Sequence, residues 1–340
     1  MRVLVGISGG VDSAVTALLL KRHGYEPVAV HLLLGEGEEN VNARRCADFL
    51  EIEYHCVDMT AEFDKRVKAP FAKIYLEGKT PNPCVICNRE IKFGLMAELM
   101  DKFGCEKLAT GHYVRSEYSE ETNRWILRKG MDNKKDQSYF LWELSQEQLS
   151  KTMFPLGHYT KAQVRKLAEE ANIPVASSPE SQDVCFIPDG DCGAFIAGYT
   201  GFKPVSGDFI NTNGKVLGRH KGIAHYTVGQ RKGLGISSDA PLYVIKKDAA
   251  ANTVTLGRNE QLFSDTVNIE DINLVAADGS ENELSVQAKV RYSTTTADAV
   301  LHLNGNRGTL RFDKPQRAPS PGQSAVFYND DVLVGGGIIV

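Results

Sequence analysis

Short apolar runs alternate with amphipathic stretches through the first half of the chain. Val3 to Ile7, Pro27 to Leu34, Tyr54 to Val57 and Lys107 to Thr110 read as buried or half-buried strands. Ala14 to Arg22, Asn42 to Leu50, Thr60 to Leu76 and Ile91 to Phe103 carry helical periodicity, with Pro70 set to kink the third of these. An acidic, glycine-containing loop spans 35–40. Strands alternating with helices predict an α/β domain with a doubly wound parallel sheet, and ligands in such sheets sit at the C-terminal strand ends. Val114 to Ser116 and Trp125 to Arg128 read as a hairpin, and Thr160 to Ala171 as a capped helix.

Near Tyr199 the pattern changes. Segments such as Leu242 to Ile245 and Thr253 to Leu256 are short and β-branched, and turn signals recur at 211–214, 278–279, 304–305 and 321–322. The expected organisation is a catalytic domain over 1–198, a small central β-rich region over 199–258 and a C-terminal β-barrel over 259–340.

Composition changes this picture little. At 340 residues and 42% hydrophobic content the chain can bury substantial cores, and no window offers about 18 consecutive apolar residues or a secretion signal. A cytoplasmic protein without membrane contact is the expectation. The seven cysteines argue for reactive or metal-bound thiols rather than a disulfide framework. Net charge is −4, yet no Asp or Glu occurs from Phe209 to Ser238, where Lys215, Arg219, Lys221, Arg231 and Lys232 fall. A solvated face and a nucleic-acid contact both fit that stretch.

The candidate chemistry starts at Ser8-Gly9-Gly10-Val11-Asp12-Ser13, between the first strand and the first helix. Glycines there permit close backbone approach, Asp12 or Ser13 can cap the helix, and exposed N–H groups would face an anion. The turn lacks the Lys of a Walker loop and the spacing of a dinucleotide fingerprint, which disfavours both folds. It resembles the pyrophosphate loop of ATP pyrophosphatases. A second focus is Thr80 to Arg89, with Cys84 and Cys87 at a helix start, where helix N–H groups and Arg89 or Lys92 would favour a Cys87 thiolate. Redox and metal readings are both open for this C-x-x-C, and Cys185 is its one plausible distant partner.

The order of Ser8 to Ser13, Thr80 to Lys92, Ala109 to Tyr113, Lys135 to Phe140, Cys185-Phe186-Ile187, Thr227 to Gly235, Arg291-Tyr292 and Pro321 to Tyr328 resembles the tRNA-specific 2-thiouridylases, the MnmA/TrmU family, along essentially the whole chain. The resemblance implies a PP-loop domain of the adenine nucleotide alpha-hydrolase type. It also implies ATP-dependent 2-thiolation of a wobble uridine of tRNA through an adenylate at the uracil 2-oxygen, with Mg²⁺, release of AMP and pyrophosphate, and a persulfide or sulfide donor. By the same resemblance ATP would meet Gly6, Ser8, Gly9, Gly10, Val11, Asp12, Ser13, Leu32 and Gly111. Sulfur would pass through Cys185 and Cys87, which close a transient disulfide. The tRNA would meet Asn82, Pro83, Cys84, His112, Lys135, Asp136, Gln137, Arg291, Tyr292 and Gln323, and the enzyme is expected to be a monomer. Cys84 stands where the familiar pattern has Asp. With Cys87 and Cys185 it makes a set similar to the ligands of a [4Fe–4S] cluster in related thiolating enzymes, which is the alternative sulfur route. A small-molecule amide-forming synthetase and a non-catalytic RNA-binding or iron–sulfur carrier are the competing readings; neither uses both the turn and the thiols.

Overall fold

The structure, a computed structural model, describes residues 1–35, 39–177, 184–187 and 190–340. Part of the acidic loop at 35–40, and Asp183 beside the Cys185 motif, therefore lie outside the described residues. The first domain is built on five parallel strands, β1 (Arg2–Gly6), β2 (Glu26–Leu33), β3 (Glu53–Asp58), β4 (Lys107–Ala109) and a short fifth strand, Thr152–Met153. From one edge the order is β3, β2, β1, β4 and the short strand. Strand order reverses between β1 and β4, so the crevice above those two strands is the switch point where such sheets take ligands.

Alternation along β1 explains the two layers. Val3, Val5 and Ile7 pack under helices α1 (Val11–Arg22) and α2 (Val41–Phe49), while Leu4 on β1, Val28, Val30 and Leu108 pack on the opposite face with Phe93 and Met96. Each such fully buried side chain contributes about 1.5–3 kcal/mol of transfer free energy. The helical run 60–76 is continuous, with a π turn at Asp64–Lys68. Pro70 has no N–H to return to residue 66, and the wider turn before it takes up the mismatch, so the expected kink is a π insertion. A second long run, 83–102, contains a π segment at Asn88–Leu95. The helix Lys161–Glu170 starts with a full capping box from Thr160 and Gln163, and Cys192–Thr200 forms a further helix.

The hairpin Val114–Ser119 with Arg124–Lys129 forms as the sequence predicts, but it adds to the C-terminal sheet, where Leu127 pairs with Leu333. Six antiparallel strands from Phe263–Leu274 to Val332–Ile339 close into a barrel through pairing of its first and last strands. A four-stranded sheet between Gly207 and Gly257 forms the central region. Among the described residues no helix is long and apolar enough to cross a membrane.

Candidate active site

The turn after β1 is arranged around its backbone. Gly9 has φ of +80°, and a Cβ there would lie 2.8 Å from Asn40 Oδ1. Gly10 is the N-cap of α1 and no side chain caps it. Neither Asp12 nor Ser13 caps as the sequence suggests: Ser13 Oγ accepts from Ser8 N at 3.1 Å and donates to Gly10 O at 3.0 Å, bracing the turn from within. The uncapped first-turn N–H groups stay available, and the helix dipole adds partial positive charge at that point. Asp12 turns aside, taking a hydrogen bond from Tyr113 Oη at 2.7 Å and lying 2.7 and 2.8 Å from Lys161 Nζ.

A cavity of about 280 Å³ opens beside this turn. Gly6, Ser8, Asp12, Ser13, Leu32 and Gly111 line it, together with His112, Gln137 and Lys92. Gly9 and Gly10 shape the turn from behind, and Val11 is buried at the base of α1. At Gly111 a Cβ would lie 3.1 Å from the Asp12 carbonyl carbon, so glycine lets the end of β4 close on the turn. His112 is buried, its Nδ1 2.8 Å from Thr110 Oγ1, and desolvation, helped by Lys92, holds it neutral well below the usual imidazole range.

The cysteine segment approaches from the neighbouring helix. Asn82 caps run 83–102 by accepting from Cys84 N at 3.2 Å, and Pro83 is buried at its first position. Cys84 and Cys185 are exposed, Cys87 is buried, and all seven cysteines are free thiols. The anticipated Cys87 thiolate is not what the surroundings favour. Desolvation pushes Cys87 up to about 11, and the Cys84 and Cys185 thiols are also raised, desolvation again leading. Arg89 is engaged elsewhere, 2.9 Å from Glu90 and 2.9 Å from Glu143. Lys92 is the cation that acts against desolvation at all three thiols. Among the described residues no group of three His, Cys, Asp or Glu side chains is arranged to hold a metal ion.

Phe186 anchors Cys185. Its ring packs 5.7 Å from Phe63, 5.4 Å from Phe71 and 5.1 Å from Phe195, bridging run 60–76 and the helix Cys192–Thr200.

The residues tied to tRNA by resemblance divide in two. Gln137 faces the cavity beside the turn, and Tyr292 is 41% exposed with its ring 4.6 Å from Phe140. Asp136, Lys135, Arg291 and Gln323 make internal contacts instead. Asp136 accepts from Gly130 N at 3.0 Å and Ser138 Oγ at 2.8 Å, and Lys135 N–H donates to Asp132 O at 2.9 Å. Arg291 donates to Ala318 O, Val228 O and Ser320 Oγ, locking the barrel to the central region. Gln323 Nε2 donates to Thr80 O at 2.8 Å, docking a barrel turn just ahead of Asn82. In the acid-free stretch Arg219 pairs with Asp208 at 2.8 Å, whereas Lys215, Lys221, Arg231 and Lys232 are exposed. The sequence reading missed Lys161, and it named Phe186 only within the Cys185 motif. Lys161 sits 149 positions from Asp12 and nothing in its local pattern marks it.

Comparison with known proteins matches the chain to three family models. They are the tRNA methyl transferase HUP domain over 1–189, the tRNA methyl transferase PRC-barrel domain over 193–258 and the aminomethyltransferase β-barrel domain over 264–339. Among curated relatives, a tRNA-specific 2-thiouridylase MnmA 1 of Caldanaerobacter subterraneus subsp. tengcongensis is 46% identical over 99% of this chain and 97% of its own. That of Syntrophomonas wolfei is 44% identical over the full length of both chains. A solved U34-tRNA thiolase NcsA from Methanococcus maripaludis with its [4Fe–4S] cluster is 21% identical over 59% of this chain and 64% of its own, at a TM-score of 0.35, too loose a likeness to carry its cluster over.

Proposed function

Since the chain belongs to the tRNA-specific 2-thiouridylase family, we propose that it thiolates a tRNA uridine by joining the nucleotide cavity to the Cys87–Cys185 pair. The enzyme is an ATP-using tRNA sulfurtransferase. One observation carries the finer reading: Lys92 lines the cavity beside the pyrophosphate turn and is also the cation acting on all three thiols. Adenylation and sulfur delivery therefore share one wall.

The substrate is the magnesium complex of ATP. The turn from Ser8 to Ser13 receives the pyrophosphate on backbone N–H groups, while Leu32 and Gly111 flank the nucleoside end. The uracil 2-oxygen attacks the α-phosphorus, the α–β bond breaks, and pyrophosphate departs. A carbonyl oxygen, a poor leaving group, has become an AMP ester. A persulfide on Cys185 then attacks carbon 2 through its terminal sulfur and AMP leaves with the former oxygen. The Cys87 thiolate attacks the Cys185 sulfur, releases the 2-thiouridine sulfur and closes a Cys87–Cys185 disulfide. An external dithiol supplies the two electrons that reopen it. Equally balanced is attack of Cys87 on the persulfide first, freeing hydrosulfide as the nucleophile. Cys84 replaces the familiar Asp with a thiol held above its ordinary range, so it serves the site as a neutral neighbour rather than a base. Gln137 and Tyr292 supply hydrogen bonding and stacking for a base splayed from its loop. A small-molecule synthetase would leave the two thiols without a task.

Purified enzyme is given tRNA, MgATP and a persulfide or sulfide donor, and the tRNA nucleosides are analysed by mass. 2-Thiouridine with matching AMP and pyrophosphate is the expected product. Its absence with both donors overturns the reading.

A further inference from the structure

Lys289 ends the barrel strand Glu283–Lys289 and has no part in the nucleotide or thiol chemistry. Strand alternation fixes its direction. Val286, Ala288 and Val290 pack in the barrel core, so Gln287 and Lys289 lie on the outer face, where Tyr328, the cross-strand partner of Gln287, packs against the first domain. Lys289 Nζ lies 6.0 Å from the centroid of the half-exposed Tyr292 ring. Among the described residues this Nζ makes neither a hydrogen bond nor a salt bridge. Desolvation lowers Lys289 from the usual lysine range, with Asp136 opposing and Lys129 adding to the shift. Both neighbours are already engaged. The Asp136 carboxylate accepts from Gly130 N, Ser138 N and Ser138 Oγ, and Lys129 Nζ donates to Asp330 O at 2.8 Å. We infer that Lys289 is a tRNA contact that binds the phosphate beside the nucleotide stacked on Tyr292. This rests on the proposed role of Tyr292 as a platform for the splayed base.

Sites for unpaired nucleic acid pair an aromatic platform, which takes the face of a base, with a cation that follows the backbone. The base contact carries the sequence and the phosphate contact sets the register. Tyr292 supplies such a face, and its ring is backed by Phe140 at 4.6 Å. Arg291 cannot supply the cation, since its guanidinium donates to Ala318 O, Val228 O and Ser320 Oγ. Lys289 can. Its ammonium is a point charge with three donors and suits a phosphate arriving at more than one angle. A half-desolvated cation without a counter-ion is costly in the free protein, and a phosphate brought to it offsets that cost. A side chain kept there only for its packed stem would be better replaced by methionine.

The test measures tRNA dissociation constants for the full-length enzyme between about 50 and 200 mM salt, with MgATP affinity as the control. Lys289→Met keeps a stem of similar length and removes the charge. It should weaken tRNA binding about fivefold or more at the low-salt end and make the plot of log affinity against log salt shallower by about 0.7, the release of one counterion. MgATP affinity should hold within about twofold. Lys289→Arg keeps the charge and should keep the wild-type slope. Tyr292→Ala should weaken tRNA binding about fivefold or more at the wild-type slope, because a stacked base releases no counterion. A Lys289→Met enzyme with wild-type affinity overturns the inference. So does one that binds tRNA more weakly at an unchanged slope, since that is the mark of a packing role. Tyr292→Ala with normal tRNA affinity removes the platform and the inference with it. If Lys289→Met does not fold, Lys289→Gln takes its place and is read in the same way. A wild-type enzyme that does not bind tRNA sinks the proposed function as well, whereas normal wild-type binding with an unaffected Lys289 variant sinks this inference alone.

Discussion

At the end of β1 the turn presents backbone N–H groups of consecutive residues, braced by Ser8 and Ser13 and uncapped by any side chain. The thiol face is assembled differently. Cys84 and Cys87 come from the start of one helix and Cys185 from a distant loop that hangs on Phe186. The first site needs no change of protonation to act, since amides and a helix dipole are permanently in place. The second must act against its surroundings, because desolvation holds Cys87 up to about 11 with Lys92 opposing. A backbone-built site is ready before its ligand arrives.

The sharpest way to break this division is to remove sulfur and leave the turn intact. In Cys185→Ser the persulfide cannot form, so 2-thiouridine production should fall about a thousandfold or more, as for other covalent nucleophiles. ATP affinity should hold within about twofold, because Cys185 lines no part of the cavity beside the turn. Near-normal turnover in the variant would mean that Cys185 carries no sulfur.

Gly9→Ala probes the other half with a smaller effect. The residue would have to keep φ of +80° and put its Cβ 2.8 Å from Asn40 Oδ1 and 3.0 Å from Ala43 N, so the turn must shift. Strain of about 1–3 kcal/mol, felt mainly in the receptive geometry, predicts ATP binding weaker by about tenfold or more. Alkylation rates of Cys84 and Cys185 without ATP should match wild type. If both ATP affinity and thiol reactivity change together, the two sites are one mechanical unit and the contrast fails.

How far each region was legible in the sequence follows from how it is built. The turn could be read because its strand, glycines and helix are contiguous, and Gly111 because β4 ends there. The identity of the capping groups could not: Ser13 braces the turn and Asp12 leaves it for Lys161, a choice made by a helix whose sequence shows only its own Thr160 cap. At the thiol face the cysteine types and spacing were visible. Their protonation was not, because it depends on burial, and of the two cations the sequence pointed to, Lys92 opposes desolvation while Arg89 is already held by Glu90 and Glu143. The hairpin over 114–129 was legible as a hairpin, while its pairing with Leu333 is a contact that local pattern does not record.

The seam under the thiol face offers the finest test. Phe186 shares an apolar cluster with Tyr75, Cys192 and Ala224, where the first domain meets the central region. Lys247 enters there with a buried Nζ that has no hydrogen-bond partner among the described residues, 5.2 Å from the Tyr75 ring centroid. Desolvation, partly offset by Cys192, lowers it from the ordinary 10.5 to about 8. Below pH 8 folded and unfolded chains both hold the proton, and the burial penalty is fully present. Between about 8 and 10.5 the unfolded chain still holds the proton that the folded one has released, so this group makes stability rise with pH; above 10.5 its contribution is level. Cys192 and Tyr75, both pushed up by burial, act in the opposite sense as they begin to titrate in the unfolded chain. The reading is therefore the difference between wild type and Lys247→Met in thermal melts across that window. The variant should be the more stable at pH 7, and its advantage should shrink steadily as pH rises. A difference that stays constant with pH would mean that Lys247 is solvated or paired in the folded protein, and that the thiol face stands on a seam as settled as the sheet beneath the turn.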